Sequence, residues 1–222
     1  LLFLGRQDPP SLAEQVLEYT RLLSSFKGQR VTVRVLDTDT DKPLPFLFPA
    51  GSGKYANRGL QVLLANPEVL ETQLQALAMA QKNNPQTDLW VMAPMVLSVA
   101  EAGEFAKRAR RAGLKKVGVM IEVPEVTEPE VINGILREVD FISIGTNDLT
   151  HYALGKSRHT AGDGAVSGTI TLAEVRKPEV FDLIVRTIQA AKAAGKPVGI
   201  CGESASDPES ARLFVELGVD SL

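Results

Sequence analysis

The sequence has little cysteine, no excess of basic residues and no long apolar run. Of its 222 residues only Cys201 is a cysteine, which excludes an intrachain disulfide and a structural zinc site and favours a reducing, cytoplasmic setting. The 24 Lys and Arg against 27 Asp and Glu, with the basic residues spread along the chain, give no electrostatic footprint for nucleic acid or an anionic membrane, so neither partner is expected. No apolar run reaches the roughly 18 residues of a transmembrane helix. The opening LLFL lacks the length and basic flank of a signal peptide.

What the chain does have is an alternation of strand and helix patterns. Its hydrophobic content of 44% is enough for one substantial core, and we expect residues 1–222 to form a single domain. Short apolar runs alternate with helical patterns, which is typical of parallel βα units. The predicted strands cover residues 31–37, 89–95, 117–123, 141–146 and 198–202. Caps, prolines and glycines predict helices over residues 11–28, 66–83, 98–113, 177–195 and 207–218.

Polar or reactive side chains stand at the carboxyl ends of these predicted strands. A TIM-type (β/α)₈ barrel gathers such ends at one mouth, whereas an open doubly wound sheet would spread them along an edge. We therefore predict the barrel. Only five complete strands are visible, with a strand end at residues 1–4 and the start of another at 219–222, so the barrel is expected to be incomplete at both ends of this chain. The polar or reactive side chains at the carboxyl ends of the predicted strands are Arg34, Asp37, Met95, Glu122, Asn147, Asp148, Cys201 and Glu203.

Two carboxylates follow consecutive strands, Glu122 in VMIEVP and Asp148 in GTNDL. Across a barrel mouth they could share one hard cation, and two carboxylates with waters and substrate oxygens suit Mg²⁺. The alternative is that each carboxylate caps a following helix. Asn147 weakens that alternative, because polar groups after Gly-Thr also present backbone N–H groups to an anion.

Three arginines suggest an anionic ligand. Arg34 lies in the otherwise apolar VTVRVLD, where a charge is costly unless it is paired or functional. Arg58 and Arg158 follow in loops that contain glycine. Planar guanidinium groups bind carboxylate and phosphate oxygens in bidentate fashion, which describes a pocket for a small phosphorylated acid. The alternatives are an ion pair of Arg34 with Asp37 or Asp39, and solvated loop arginines at the other two positions.

Cys201 stands between glycines in VGICGES. A free thiol is most often a small buried hydrophobe. The neighbouring Gly199 and Gly202 let another group approach closely, and a thiol with an ordinary pKa of about 8.5 can act as a general acid. Both interpretations remain open from the residues alone.

Six segments in this order resemble the phosphoenolpyruvate-binding C-terminal domain of Enzyme I of the bacterial sugar phosphotransferase system. They are VRVLDTDTDKPLPF, NRGLQ, WVMAPMV, VGVMIEVP, REVDFISIGTNDLTHY and KPVGICGE. The resemblance implies a (β/α)₈ barrel in which Glu122 and Asp148 bind Mg²⁺. It implies that Arg34, Arg58, Asn147, Asp148 and Arg158 bind phosphoenolpyruvate. Cys201 would exchange the proton at the methylene carbon of enolpyruvate.

The resemblance also implies partners. The phosphoryl group would pass to a histidine on the protein's own N-terminal domain, which this chain lacks, and from there to a small phosphocarrier protein. Neither His151 nor His159 lies in a motif of that kind. A homodimer in the bacterial cytoplasm is implied as well. Two alternative functions remain, a Mg²⁺-dependent lyase or aldolase acting through a pyruvate enolate, and a catalytically silent barrel that serves dimerisation.

Overall fold

The computed structural model describes residue 3 and residues 5–38, 44–47, 58–155 and 172–222. Within these ranges eight α-helices and five strands alternate. The strands are β1 Arg30–Arg34, β2 Asp88–Ala93, β3 Lys116–Ile121, β4 Phe141–Gly145 and β5 Val198–Cys201. The helices are α1 Leu12–Ser24, α2 Gly59–Ala65, α3 Pro67–Asn83, α4 Val99–Ala112, α5 Pro129–Glu138, α6 Thr146–Ala153, α7 Pro178–Ala193 and α8 Pro208–Leu217.

The chain divides into two compact units. The first comprises Leu1–Met95 and Ala100–Gly118, and the second comprises Val96–Val99 and Val119–Leu222. The strands follow one another in chain order in the sheet. In the first unit β1 pairs with β2 in parallel, and in the second β4 pairs with β5 in parallel. A parallel pair needs a crossover connection, and here the crossovers carry the helices.

The five predicted strands are confirmed, and each ends earlier than predicted. The helices after Ser11, Asn66, Ser98, Lys177 and Asp207 are confirmed too. α2, α5 and α6 were not predicted. One predicted cap is wrong, because the Asn66 side chain makes no capping bond and instead donates from Nδ2 to Val62 O at 2.8 Å.

The expected start of a further strand at residues 219–222 is confirmed as far as the chain reaches. Ser221 forms a parallel bridge with Gly199, and Ile200 N donates to Ser221 O at 2.9 Å. Asp220 N donates to Val198 O at 2.8 Å. Of residues 1–4 only Phe3 is described, in a turn. The predicted strand end there lies mostly outside the described residues.

The first unit packs α1 against α3 around Tyr19. Its hydroxyl accepts a hydrogen bond from Gln73 Nε2 at 2.7 Å, and Gln73 Oε1 accepts from Leu36 N at 2.9 Å. Burial raises the pKa of Tyr19 to about 12, because the charged phenolate would lose its hydration. One glutamine thus joins both helices to the chain after β1.

Trp90 on β2 lies among charged groups at the amino-terminal end of its strand. Its Nε1 donates to Asp88 Oδ2 at 2.8 Å, and the Arg30 guanidinium lies 3.8 Å from the centre of its ring. Stacking of arginine on an indole face is favourable through the ring quadrupole. Trp90 is therefore fixed by contacts within the first unit.

The second unit has its own apolar core beneath β4, β5 and the carboxyl-terminal half of β3. Fully buried side chains come from both strands and helices, which is the packing expected when helices cover a parallel sheet. They include Ile121, Ile132, Ile135, Ile144, Leu149, Ile184 and Phe214. The carboxyl ends of its strands carry the polar residues described next.

Candidate functional site

The two predicted carboxylates are both buried in the second unit. Glu122 directly follows β3 and is 3% exposed, while Asp148 lies in the first turn of α6 and is 8% exposed. Carboxylates are rarely buried to this extent unless they are paired, hydrogen-bonded or bound to a metal.

Gly145 makes room for the Glu122 carboxylate at the start of α6. A Cβ added to Gly145 would lie 2.6 Å from both Cγ and Oε1 of Glu122, closer than real Cβ atoms approach. Gly145 is the N-cap residue of α6, three residues before Asp148. The absent side chain therefore lets Glu122 lie against the turn that carries Asp148.

The capping alternative is not supported. α6 has Gly145 at its N-cap and no side-chain capping bond, so Asp148 lies inside the helix rather than capping it. The 3₁₀ helix after Glu122, Pro124–Thr127, has Val123 at its N-cap, again with no side-chain bond. An acidic residue in the first turn still interacts favourably with the helix dipole.

Two buried carboxylates form a donor set that suits Mg²⁺, which prefers hard oxygen ligands and keeps several waters. Among the described residues no group of three or more His, Cys, Asp or Glu side chains could hold a metal ion. An ion held by Glu122 and Asp148 would take its remaining ligands from water and substrate.

Asn147 is tied to the chain after β5. Its Oδ1 accepts a hydrogen bond from Glu203 N at 3.0 Å. This bond orients the amide, so that Nδ2 is the part of the side chain that can donate to an anion. The predicted role of Asn147 in binding the ligand would therefore use Nδ2 as the donor.

Cys201 ends β5 beside β4, with its side chain half-buried. Ser143 Oγ donates to Cys201 Sγ at 3.4 Å, and Sγ donates to Ile144 O at 3.6 Å. Thr146 Oγ1 donates to Cys201 O at 3.1 Å and lies 2.6 Å from Ser204 Oγ. These contacts hold the thiol at the carboxyl end of the strand pair.

The turn after Cys201 requires glycine. Gly202 has φ +118°, and a Cβ there would overlap Thr146 Oγ1 and lie 2.9 Å from Asn147 Oδ1. That backbone conformation is strained for residues with a side chain. Gly202 thus allows the chain after β5 to close on the start of α6.

Arg34 and Arg58 belong to the first unit. Arg34 ends β1 opposite Met92, and its Nη1 lies 3.6 Å from Asp37 Oδ2. The strand is less buried than its sequence suggests, since the Arg34 side chain is 36% exposed. The ion pair of Arg34 with Asp37 that was considered as an alternative is therefore present.

Arg58 is placed at the carboxyl end of β2 by the start of α2. Arg58 is the N-cap residue of α2, and Leu60 N donates to Pro94 O at 3.2 Å. Gly59, at φ +62°, lies against Met95, which itself has φ +38°. A bulky residue in the left-handed region is strained, and such strain is often found at functional sites. Arg158 lies outside the described residues.

The sequence reasoning missed Ser143 and the contacts made at Gly145 and Thr146, whereas it named Gly202 as a position of close approach. One signal was available, because Ser143 and Gly145 alternate with Ile142 and Ile144 in β4. Small residues on one face of an otherwise apolar strand indicate that another group approaches there. The hydroxyl contacts of Thr146 depend on the turn after β5, which local sequence does not specify.

None of the helices in the described ranges is long and apolar enough to cross a bilayer. Among solved structures the chain is similar to a citrate lyase from Burkholderia xenovorans, with a TM-score of 0.50 and 13% identity. The likeness covers 93% of this chain and 60% of that structure, and it concerns the fold alone. The fold is α/β, of the TIM-barrel type, as predicted, and the described residues supply five of its strands.

Three relatives are similar over nearly the whole chain. The phosphoenolpyruvate-protein phosphotransferase of Streptomyces coelicolor is 44% identical over 96% of this chain and 37% of its own length. The protein of that name from Haloferax volcanii is 38% identical over 100% of this chain and 40% of its own. The multiphosphoryl transfer protein of Rhodobacter capsulatus is 34% identical over 100% of this chain and 26% of its own.

The chain therefore spans about two fifths or less of the relatives it matches. Residues 1–222, the whole of this chain, match the family model of the PEP-binding domain of PEP-utilising enzymes. Three of the motifs that carry the resemblance include the carboxyl ends of β3, β4 and β5, where the buried carboxylates, the amide and the thiol are found. On this ground the chain belongs to the family of PEP-utilising enzymes, as their PEP-binding domain.

Proposed function

We propose that this chain binds phosphoenolpyruvate with Mg²⁺ and supplies its phosphoryl group to a histidine on a separate N-terminal domain, releasing pyruvate. One observation carries the proposal. Glu122 lies against Gly145 at the start of the helix whose first turn holds Asp148, and both carboxylates are buried. Membership of the PEP-binding family supports the choice of ligand.

Glu122 and Asp148 would hold the Mg²⁺ ion. When bound, this ion neutralises charge on the phosphoryl group and on the enolate, which lowers the barrier to transfer. Both carboxylates are buried, and carboxylate oxygens are hard ligands of the kind that Mg²⁺ prefers.

Donors from several elements would bind the ligand's anionic groups. Asn147 offers Nδ2, and the first backbone N–H groups of α6 point away from the helix toward its amino-terminal end. Arg34, at the end of β1, and Arg58, before α2, are assigned to the ligand from the resemblance, and their guanidinium groups suit bidentate binding of phosphate or carboxylate oxygens. Arg158 is assigned the same role from the resemblance alone.

Cys201 would move the proton that completes the reaction. Cleavage of the P–O bond leaves its electron pair on the enol oxygen, and the histidine nitrogen takes the phosphoryl group. The enolate then collapses to the ketone, and C3 forms a C–H bond with the proton from Cys201 Sγ, leaving a thiolate. Re-protonation from solvent restores the thiol.

The partners follow from this role. The acceptor histidine would lie on an N-terminal domain, as the resemblance implies. His151 of this chain is 7% exposed and packs edge-on against Tyr152. A small phosphocarrier protein would receive the group next, and a cytoplasmic homodimer is part of the same proposal.

Calorimetric titration with phosphoenolpyruvate, with and without Mg²⁺, tests the ligand and the ion together. We expect saturable binding that requires Mg²⁺, and we expect Asp148→Asn to weaken it at least tenfold, roughly 1.4 kcal/mol. Glu179→Gln is the matched control, since Glu179 is an exposed acid in the first turn of α7. Equal affinity of both variants would contradict the assignment of Asp148.

A further inference from the structure

One buried hydroxyl at the candidate site has no role in the proposed reaction. Ser143 on β4 is 9% exposed, and its Oγ donates to Cys201 Sγ at 3.4 Å. The thiol in turn donates to Ile144 O at 3.6 Å. The sulfur is thus held between a donor and an acceptor, both from the neighbouring strand.

The strand register explains why these two side chains meet. Ser143 pairs with Gly199 and Gly145 pairs with Cys201, so all four face the same side of the sheet. Two of the four are glycines, which leaves the diagonal between Ser143 and Cys201 open. Cross-strand diagonal neighbours interact only when the intervening positions allow it.

Neither glycine could carry a side chain here. A Cβ at Gly199 would lie 2.6 Å from Ser221 Oγ and 3.9 Å from Ser143 Oγ, while one at Gly145 would collide with Glu122. The glycines therefore keep the face clear, and Ser143 and Cys201 are the only side chains on it within these paired positions of the described strands.

We propose that Ser143 is a positioning residue for the thiol of Cys201 and stabilises the thiolate formed when the proton passes to C3. The inference rests on the proposed function. When Sγ loses its proton to carbon, the bond to Ile144 O is lost and the bond from Ser143 Oγ–H becomes charge-assisted, which strengthens it. In the reverse direction the same bond favours the thiolate that removes a proton from pyruvate.

The two hydrogen bonds therefore act on different states of the sulfur. Ile144 O binds only the protonated thiol and orients its proton, whereas Ser143 can donate to both states. A merely structural serine would affect ligand binding and proton transfer alike. A positioning serine affects proton transfer and leaves the binding of phosphoenolpyruvate unchanged.

The test measures two quantities on the full chain, namely deuterium incorporation at C3 of pyruvate with Mg²⁺, followed by NMR, and the affinity for phosphoenolpyruvate. We expect Ser143→Ala to slow deuterium incorporation about tenfold, which is less than the roughly 10²–10⁴-fold loss of rate expected when a general acid is removed altogether. The affinity for phosphoenolpyruvate should stay within about twofold of the wild-type value. Ser143→Thr keeps the hydroxyl and should restore incorporation. Ser221→Ala removes a hydroxyl beside Gly199 on the next strand segment and should change neither quantity.

Alkylation of Cys201 by iodoacetamide at pH 7 separates this inference from the proposed function. The thiolate is the nucleophile in alkylation. We expect Ser143→Ala to slow alkylation several-fold, because the thiolate would lose the hydrogen bond from the Ser143 hydroxyl. A wild-type chain that binds no phosphoenolpyruvate would overturn the proposed function. Unchanged alkylation in Ser143→Ala would overturn the role of Ser143 whatever the chain binds, as would incorporation and affinity falling together.

Discussion

Glycine positions decide which side chains can approach one another at this site. Gly145 has an ordinary φ of −88°, so its importance comes from space and not from backbone strain. Gly202 combines a positive φ with close neighbours on α6. The same residue type therefore serves two physical purposes at the ends of two neighbouring strands.

Gly145→Ala should displace the Glu122 carboxylate. The new Cβ would lie 2.6 Å from Glu122 Oε1, and overpacking of this kind costs about 1–3 kcal/mol of folding free energy. We expect Mg²⁺-dependent binding of phosphoenolpyruvate to weaken by more than tenfold, measured by calorimetry alongside chemical denaturation.

Gly134→Ala provides the control for that substitution. A Cβ at Gly134 would lie 2.5 Å from Val99 Cγ2, within the same unit but away from both carboxylates. It should change stability and leave binding intact. If both variants lost binding in proportion to their loss of stability, the contact of Gly145 with Glu122 would have no specific role.

The chemistry-bearing residues could be predicted from sequence where they lie at the end of a strand or shortly after it. Glu122, Asp148 and Cys201 were found in this way, because the end of an apolar run marks its own position. Ser143 was not found, since the alternation of small and apolar residues in β4 indicates a close approach without identifying the partner, which is 58 residues away. The exposure of Arg34 depended on neighbours outside its own strand.

Helices with a cap or a helix-breaking glycine were predictable, and helices that lack these signals were not. α1 begins with a complete capping box, and α8 begins with Asp207 accepting from Ser210 N. α6 starts directly after β4 with no capping side chain, so its first residues had the pattern of a turn. Where a helix is defined by its packing rather than by its ends, sequence alone leaves it undetected.

The capping box of α1 should be visible in the acid limb of stability. Ser11 N and Ser11 Oγ donate to Glu14, and with Arg6 they lower the pKa of Glu14 from its ordinary 4.5 to about 2. A folded-state value below the unfolded one adds stability above pH 4.5 that is lost as the pH falls toward 2. Glu14→Gln should make stability less dependent on pH in this window, as measured by urea denaturation.

Glu18→Gln is the comparison for Glu14→Gln. Glu18 is in the same helix and lies 3.4 Å from Arg21, outside the capping box. Its replacement should leave the steeper acid limb of the wild-type chain in place. An identical pH dependence for wild type and Glu14→Gln would mean that the box does not persist in solution.

The molecule as proposed acts only with a second domain. The test mixes this chain with phosphoenolpyruvate, Mg²⁺ and the N-terminal part of the relative from Streptomyces coelicolor, which is 44% identical to this chain over the shared region. We expect the chain to phosphorylate a histidine of that N-terminal part. The acid-labile product is measured with ³²P-labelled phosphoenolpyruvate. Asp148→Asn should abolish labelling, because the Mg²⁺ ion that neutralises the phosphoryl group would lose one of its protein ligands.

Labelling that proceeds equally without this chain would contradict the prediction, and so would binding of phosphoenolpyruvate with no transfer under any condition.

The fold of the whole chain was predictable from its sequence, because alternating strands and helices allow few arrangements. The division into two compact units was not, since contacts between distant segments decide it.

Trp90 lies in the first unit and Cys201 in the second, and the chain has one residue of each type. The unmodified protein therefore carries a fluorophore in one unit and a single site for thiol labelling in the other. Emission from the indole, which rests against Arg30 and Asp88, would follow the unfolding of the first unit. Pulsed labelling of the thiol would follow the second, so the order in which the two units melt can be observed without introducing a probe.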